Sequence, residues 1–414
     1  MLNIKANNTF FAVILFLLVI TSIFELHYLL YCLVIGVFYS KISKDLLNAT
    51  FLLSIILLCA LIASIFNEFK LYDWIKDLAY FSRPILAVLA GYFIAKKIND
   101  FEVILRITVL VSLLCAIYHV LKVLVIVDFS IASVSDIRKV GGISNEIEIL
   151  GIIILISVKR LKNVVIIKNK LYQKTVLITL IISFCLYASR TMLLSFIIFY
   201  LASYGYLKLT RKSIKYGLLI LSLFGLFYVY LFTANIQRNK SGIESFLYKM
   251  KMAPAEVFSP SKSINVKDHA KLWDRWRAYE ASMALEQMNS TTDFIVGRGL
   301  GALVDLKFVV PLGGTDMRYI PTLHNGYVNI LFKSGIIGLL SFIAFLIALY
   351  LLCYTKIRLT NKLFFYNLIS GLSIHFLFTT LVVTGLYNIT EPYAFILGVF
   401  LFFIKSKESK LLLE

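Results

Sequence analysis

The sequence predicts an all-α fold: a polytopic bundle of about twelve membrane-spanning helices, with one large hydrophilic loop that itself contains helices. Three observations carry this. The first is composition: of 414 residues, 60% are hydrophobic and 16% charged, whereas soluble domains average about 45–50% and about 25%. Mean hydropathy is +0.85. The second is the recurrence of apolar runs near the length of a span, about 20 residues with a working range of about 17–25. The third is a single long polar excursion between Thr233 and Leu323, which ends in Leu323-His324-Asn325-Gly326-Tyr327.

The apolar runs fall at 10–24, 27–40, 49–66, 77–95, 102–126, 143–158, 175–189, 191–207, 214–234, 335–355, 363–384 and 392–404. The first follows Lys5 in the manner of a signal peptide. No small-residue cleavage site follows it and a second run comes at once, so it reads as an uncleaved helix. Orientation follows the basic loops. Lys41 and Lys44 follow the second run, and Lys96 and Lys97 the fourth. Lys159, Arg160 and Lys162 follow the sixth, and Lys208, Arg211 and Lys212 the eighth. Lys356, Arg358 and Lys362 follow the tenth, and Lys405, Lys407 and Lys410 the twelfth. Every even run then ends in the cytoplasm, both termini lie inside, and the long loop faces outward. The chain divides into helices over 1–234, the large loop over 235–324, and an interfacial helix with three spans over 325–414. The net charge of +19 is explained by these loops, and nucleic acid is excluded as a partner.

The loop carries twelve Lys/Arg and nine Asp/Glu. Within it, 268–289 reads as one helix: Asp268 can cap it, and Leu272, Trp276, Tyr279 and Met283 form an apolar stripe. A second helix is expected to start near Pro321-Thr322 with Thr322 as cap. It would place Asn325, Asn329 and Lys333 on one polar row and lie on or dip into the outer leaflet.

Several residues could carry chemistry. His324 falls in the first turn of that expected helix, beside Asn325. A helix N-terminus keeps imidazole neutral and attracts anions, a useful pairing for transfer from a diphosphate. Arg190 interrupts one apolar stretch, 175–207, that must cross twice although two full spans need about 40 residues. Its apex is therefore expected below the outer surface, where a charge needs a partner or a cavity. Arg275 and Arg277 can act as forked clamps on a diphosphate, and Arg138 and Arg318 could add to such a site. Glu146 and Glu148 are a minor alternative for a base. Gly297-Arg298-Gly299-Leu300-Gly301 follows no βαβ strand, so it reads as a tight turn returning the loop to the membrane. The loop carboxylates have no metal-ligand spacing, and no metal or cofactor is expected. The five cysteines lie in or beside apolar runs and read as structural thiols.

Three segments together resemble the O-antigen ligase/polymerase superfamily of bacterial inner membranes. Ser189-Arg190-Thr191 opens a span like the family's Ser-Arg element. Arg275 is followed four residues on by an aromatic, and then by the glycine turn; the aromatic is Tyr279 where the family has Trp. His324-Asn325-Gly326-Tyr327 through Lys333-Ser334-Gly335-Ile336-Ile337-Gly338-Leu339 is similar to the family's His-Asn-x-Tyr-Leu…Gly-x-x-Gly-Leu signature, with Val328 in place of Leu. The third segment is the most specific. The resemblance implies a GT-C-like, metal-independent, inverting glycosyltransferase. Its donor and acceptor would be undecaprenyl-diphosphate-linked oligosaccharides. It would sit in inner-membrane lipid with its loop in the periplasm, and the family's setting admits a chain-length regulator and a flippase as further partners. By position, His324 would be the general base, and Arg190 and Arg275 would hold the donor diphosphate; Arg277 and Asn325 stand beside them. The Asn-Gly-Tyr and Lys-Ser-Gly forms favour a repeat-unit polymerase over a ligase acting on lipid A–core. A polyprenyl-glycan flippase is the competing class; it would call for charges near mid-membrane in several helices.

Overall fold

The computed structural model of the protein describes residues 24–128, 134–187, 189–238, 243–259, 268–312, 314–357, 360–389 and 391–405. Residues 10–23 of the expected first span, and the basic residues Lys5, Arg358, Lys407 and Lys410, lie outside these. The remaining eleven apolar runs each contain a helix. In chain order these are α1 (Phe24–Phe38), α2 (Lys44–Ile65), α3 (Leu71–Ile98), α4 (Phe101–Ile126), α6 (Asn145–Ser157), α7 (Lys170–Tyr187), α8 (Arg190–Ser203), α9 (Arg211–Thr233), α14 (Gly326–Leu351), α15 (Thr360–Val383) and α16 (Tyr393–Phe403); a short α5 (Val134–Val140) precedes α6. Seven of them are long and apolar enough to cross a membrane: α2, α3, α4, α7, α9, α14 (continued to Tyr354) and α15. The protein is an all-α polytopic membrane bundle.

Polar caps start several helices. Ser43 caps α2 by accepting from the Leu46 N–H at 3.3 Å, and Asp100 caps α4 through the Glu102 and Val103 N–H groups. Both satisfy orphan donors of a first turn. The bundle packs α3 against α16, α2 against α14, α4 against α6, and α8 against α15. Apolar burial does not by itself join helices in lipid, so close backbone approach through small residues matters. Gly91 of α3 and Gly398 of α16 supply it: a Cβ at Gly91 would collide with the Phe395 carbonyl, and one at Gly398 with that of Val88. Gly398→Leu is therefore expected to cost about 1–3 kcal/mol through overpacking. A thermal unfolding midpoint in detergent equal to wild type would contradict that contact.

The loops expected to share one side touch one another. Lys96 donates to the Lys41 carbonyl at 2.6 Å, Lys405 pairs with Asp45 at 3.0 Å, and Arg160 donates to the Ser203 carbonyl at 2.8 Å. Asn361 binds the Lys162 backbone and Tyr354 the Leu209 N–H. The long loop packs on the opposite end of the bundle.

That loop departs from the sequence reading in four ways. An unexpected helix, α10 (Ile243–Phe258), contains Pro254 and packs on α9. The expected single helix over 268–289 is two, α11 (His269–Asp274) and α12 (Trp276–Glu286), because Arg275 leaves the helical region at φ −126°, ψ 17°. After α13 (Thr291–Val296) comes an unexpected antiparallel hairpin, β1 (Val304–Leu312) and β2 (Thr315–Ile320), with a register shift between Asp305 and Val310. Finally, α14 begins at Gly326 with Asn325 as its cap, so neither Pro321 nor Thr322 opens it. The apolar stripe itself holds: Leu272, Trp276, Tyr279 and Met283 bury against Val304, Leu306 and Val310 of the hairpin.

Gly335 explains how the loop docks. At φ 66° it breaks α14 into two helical halves, a conformation that favours glycine. The Phe332 and Lys333 carbonyls accept instead from the Arg298 and Gly299 N–H groups, at 2.7 and 3.0 Å. Leu300 N–H donates to Ser64 Oγ at 2.7 Å and Gly301 N–H to Asp77 Oδ2 at 2.8 Å. The glycine turn thus returns the loop to α2, α3 and α14, as expected of it. Lys333 is fully buried, pairs with Asp77, and donates to the Ala302 carbonyl. Asn325, Asn329 and Lys333 therefore point into the protein rather than toward water.

Candidate active site

His324 lies between the hairpin and α14, two residues before the helix begins. It is not in a helical first turn, and its orientation has a different source from the one expected. Glu280 of α12, itself buried, accepts from the His324 backbone N–H at 3.2 Å and lies 2.8 Å from Nδ1. An ionised carboxylate can only accept, so this contact favours the tautomer of a neutral imidazole that has its proton on Nδ1 and its lone pair on Nε2. The Thr384 N–H donates to the His324 carbonyl at 2.8 Å and fixes the backbone from the other side. Thr384 belongs to the turn after α15, which Arg83 of α3 holds through the Asn388 carbonyl at 2.6 Å. The imidazole is half-exposed and lines a cavity of about 560 Å³ with Glu280, Arg277, Glu256, Trp273 and Met317.

A second cavity, of about 330 Å³, shares Arg277, Glu256 and Trp273 with the first. It is lined by five cationic side chains, Arg138, Arg190, Arg238, Lys249 and Arg277, against two carboxylates, Glu256 and Asp274. Glu256 of α10 bridges Arg190 at 3.1 Å and Arg277 at 2.6 Å. Asp274 takes Arg238 at 3.3 Å and the Tyr248 hydroxyl at 2.9 Å. Burial, and then Arg138 and Arg190, push the Lys249 ammonium below its ordinary value, with Glu256 opposing. Burial likewise lowers Arg277, opposed first by Glu256. Crowding of like charge in a partly dry site is relieved by a bound anion. Glu256→Gln removes the resident anion, so it is expected to tighten inorganic pyrophosphate binding by about tenfold. Calorimetry on the purified full chain would show it, and weaker binding would mean that Glu256 positions the cations rather than competing with the ligand.

The structure brings His324, Arg277, Arg190 and Arg138 to one pair of adjoining cavities. Arg190 opens α8, and its partners come from the loop: Glu256 and the Lys249 carbonyl. Arg275 sits at the break between α11 and α12 and lines neither cavity. Asn325 is the buried cap of α14, accepting from the Val328 N–H at 3.2 Å. Arg318 pairs with Asp305 across the hairpin at 2.9 Å, and that bond holds the Asp305 carboxyl down at about 2. Glu148 is fully buried against the Tyr187 hydroxyl at 3.1 Å. Sequence reasoning missed Glu280 and Glu256. Glu280 had a signal, being an acid one turn from Trp276 and beside the apolar stripe of α12; Glu256 had none.

Residues 175–343 match the model of a family described as O-Antigen ligase. The match runs from α7 through the loop into α14 and takes in every charged residue named in the two cavities except Arg138. No curated protein matches the chain. Over this segment the chain is similar to the O-antigen ligase family.

Proposed function

We propose that the protein is a glycosyltransferase of the bacterial inner membrane that polymerises undecaprenyl-diphosphate-linked polysaccharide repeat units on the periplasmic face. One observation supports this above the others: a histidine oriented by a buried carboxylate, His324 on Glu280, shares a cavity wall with a cluster of cations. In this reading Nε2 of His324 takes the proton from the acceptor hydroxyl. That oxygen attacks the anomeric carbon of the donor sugar from the face opposite the diphosphate, so the configuration inverts. The bond to the diphosphate breaks and its electron pair leaves with the diphosphate. Arg190 and Arg277 bind that group, with Arg138 and Lys249 adding charge. Positioning, one base and leaving-group stabilisation suffice, because the diphosphate already activates the bond. The cations supply the charge that a metal would otherwise bring, which supports a metal-independent reaction. Both termini would be cytoplasmic.

The family description favours a second reading, transfer of the glycan to lipid A–core. One assay separates the two. Membranes containing the protein are given lipid-linked repeat units alone, or with lipid A–core. A ladder of lengths without added core supports the polymerase, and a core-linked product without a ladder supports the ligase. If neither forms with protein and substrates both present, the transferase reading fails.

A further inference from the structure

A third cavity, of about 530 Å³, lies on the same end of the bundle as His324 and is lined from the α2–α3 connection, the glycine turn and β2. Its chemistry differs from that of the cationic cavity. Glu68 and Asp73 face Lys70 and Arg298, so its charges balance. Among the described residues, the side chains of Glu68, Lys70 and Asp73 form no ion pair, while Arg298 donates to the Gln287 carbonyl at 2.9 Å. Two aromatic rings are offered beside them: Tyr319, 50% exposed, and Phe69, 41% exposed and stacked on Trp74. Balanced carboxylates and cations with exposed rings suit the hydroxyls and apolar faces of uncharged sugars and do not select a phosphate.

The floor is rigid. A Cβ at Gly301 would press on the Phe69 Cβ at 2.8 Å, and the turn is bonded to Ser64 and Asp77. The cleft also adjoins the His324 cavity. Successive strand residues face opposite sides: Tyr319 lines this cleft while Ile320 lines the cavity of His324. The end of β2 separates the two.

We propose that this cleft binds the acceptor glycan, holding its neutral sugars so that the terminal hydroxyl passes over the end of β2 to His324. The proposal rests on the transferase reading for the word acceptor, but not for the binding of sugar. Its test is saturation-transfer NMR on the purified full chain in detergent. The probe is the reducing oligosaccharide released by mild acid from the lipid-linked glycans of the producing cells. Wild type is expected to bind, and Tyr319→Ala and Asp73→Asn each to weaken binding by about tenfold, with unchanged monodisperse elution and with pyrophosphate failing to compete. Absence of binding to wild type, unchanged binding in both variants, or displacement by pyrophosphate would overturn the proposal. The transferase reading fails separately, if product forms without His324; sugar binding that depends on Tyr319 would survive that result.

Discussion

His324→Ala is expected to reduce glycan transfer by about 10²–10⁴-fold, the usual contribution of a positioned general base. The measurement is product formed by membranes that contain equal amounts of wild-type and variant protein. Unchanged product would remove the catalytic assignment. Glu280→Gln gives a sharper result, because it retains the volume and hydrogen-bonding capacity of the side chain while removing its charge. A glutamine amide can donate to Nδ1, which moves the proton to Nε2, where it blocks the lone pair that must accept. In serine proteases the analogous change costs about 10⁴-fold through the wrong tautomer. A loss approaching that of His324→Ala is expected here, with pyrophosphate still bound, because the Arg190 and Arg277 side chains are retained. If Glu280→Gln transferred at the wild-type rate, the tautomer argument would fail even with His324 confirmed.

What the sequence conveyed, and what it withheld, follow the range of the interactions involved. Membrane helices were legible because an apolar run of span length reports its own environment. The stripe Leu272, Trp276, Tyr279 and Met283 was legible because its period is local, and it buries as expected. The hairpin had a local signal as well: Val304, Leu306 and Phe308 alternate with Asp305 and Lys307, and Gly313-Gly314 follows. The sequence reading assigned no element between the glycine turn and Pro321. Pro254 concealed α10, since an interior proline usually ends a helix. The cap of α14 moved from Thr322 to Asn325 because Asn325 reaches the Val328 N–H while His324 is drawn off by Glu280 and Thr384. The pairs that build the site are long-range: Glu280 with His324, and Glu256 with Arg190 and Arg277. No spacing rule joins residues that the fold alone brings together.

The second large effect is expected where the loop is fastened to the bundle. Lys333 and Asp77 are both almost completely buried and face each other across α14 and α3. Each also binds the glycine-turn backbone, Asp77 at the Gly301 N–H and Lys333 at the Ala302 carbonyl. Lys333→Met leaves a carboxylate buried without its counter-charge, and Asp77→Leu leaves a buried ammonium. Either change is expected to cost about 3–5 kcal/mol. The thermal midpoint in detergent should fall sharply in each single variant. The double variant, Asp77→Leu with Lys333→Met, removes both charges together and should recover much of the loss, because a buried pair gains little net stability over apolar residues of similar size. It would not recover all of it, since the Gly301 N–H and the Ala302 carbonyl lose their partners. Single variants as stable as wild type, or a double variant whose loss equals the sum of the two, would show that the pair is not coupled. The same bonds sit beneath the floor of the third cleft and hold the break at Gly335, in the helix that follows His324. The folded double variant should therefore transfer glycan more slowly than its recovered stability alone implies, because its base and acceptor surface rest on a looser turn.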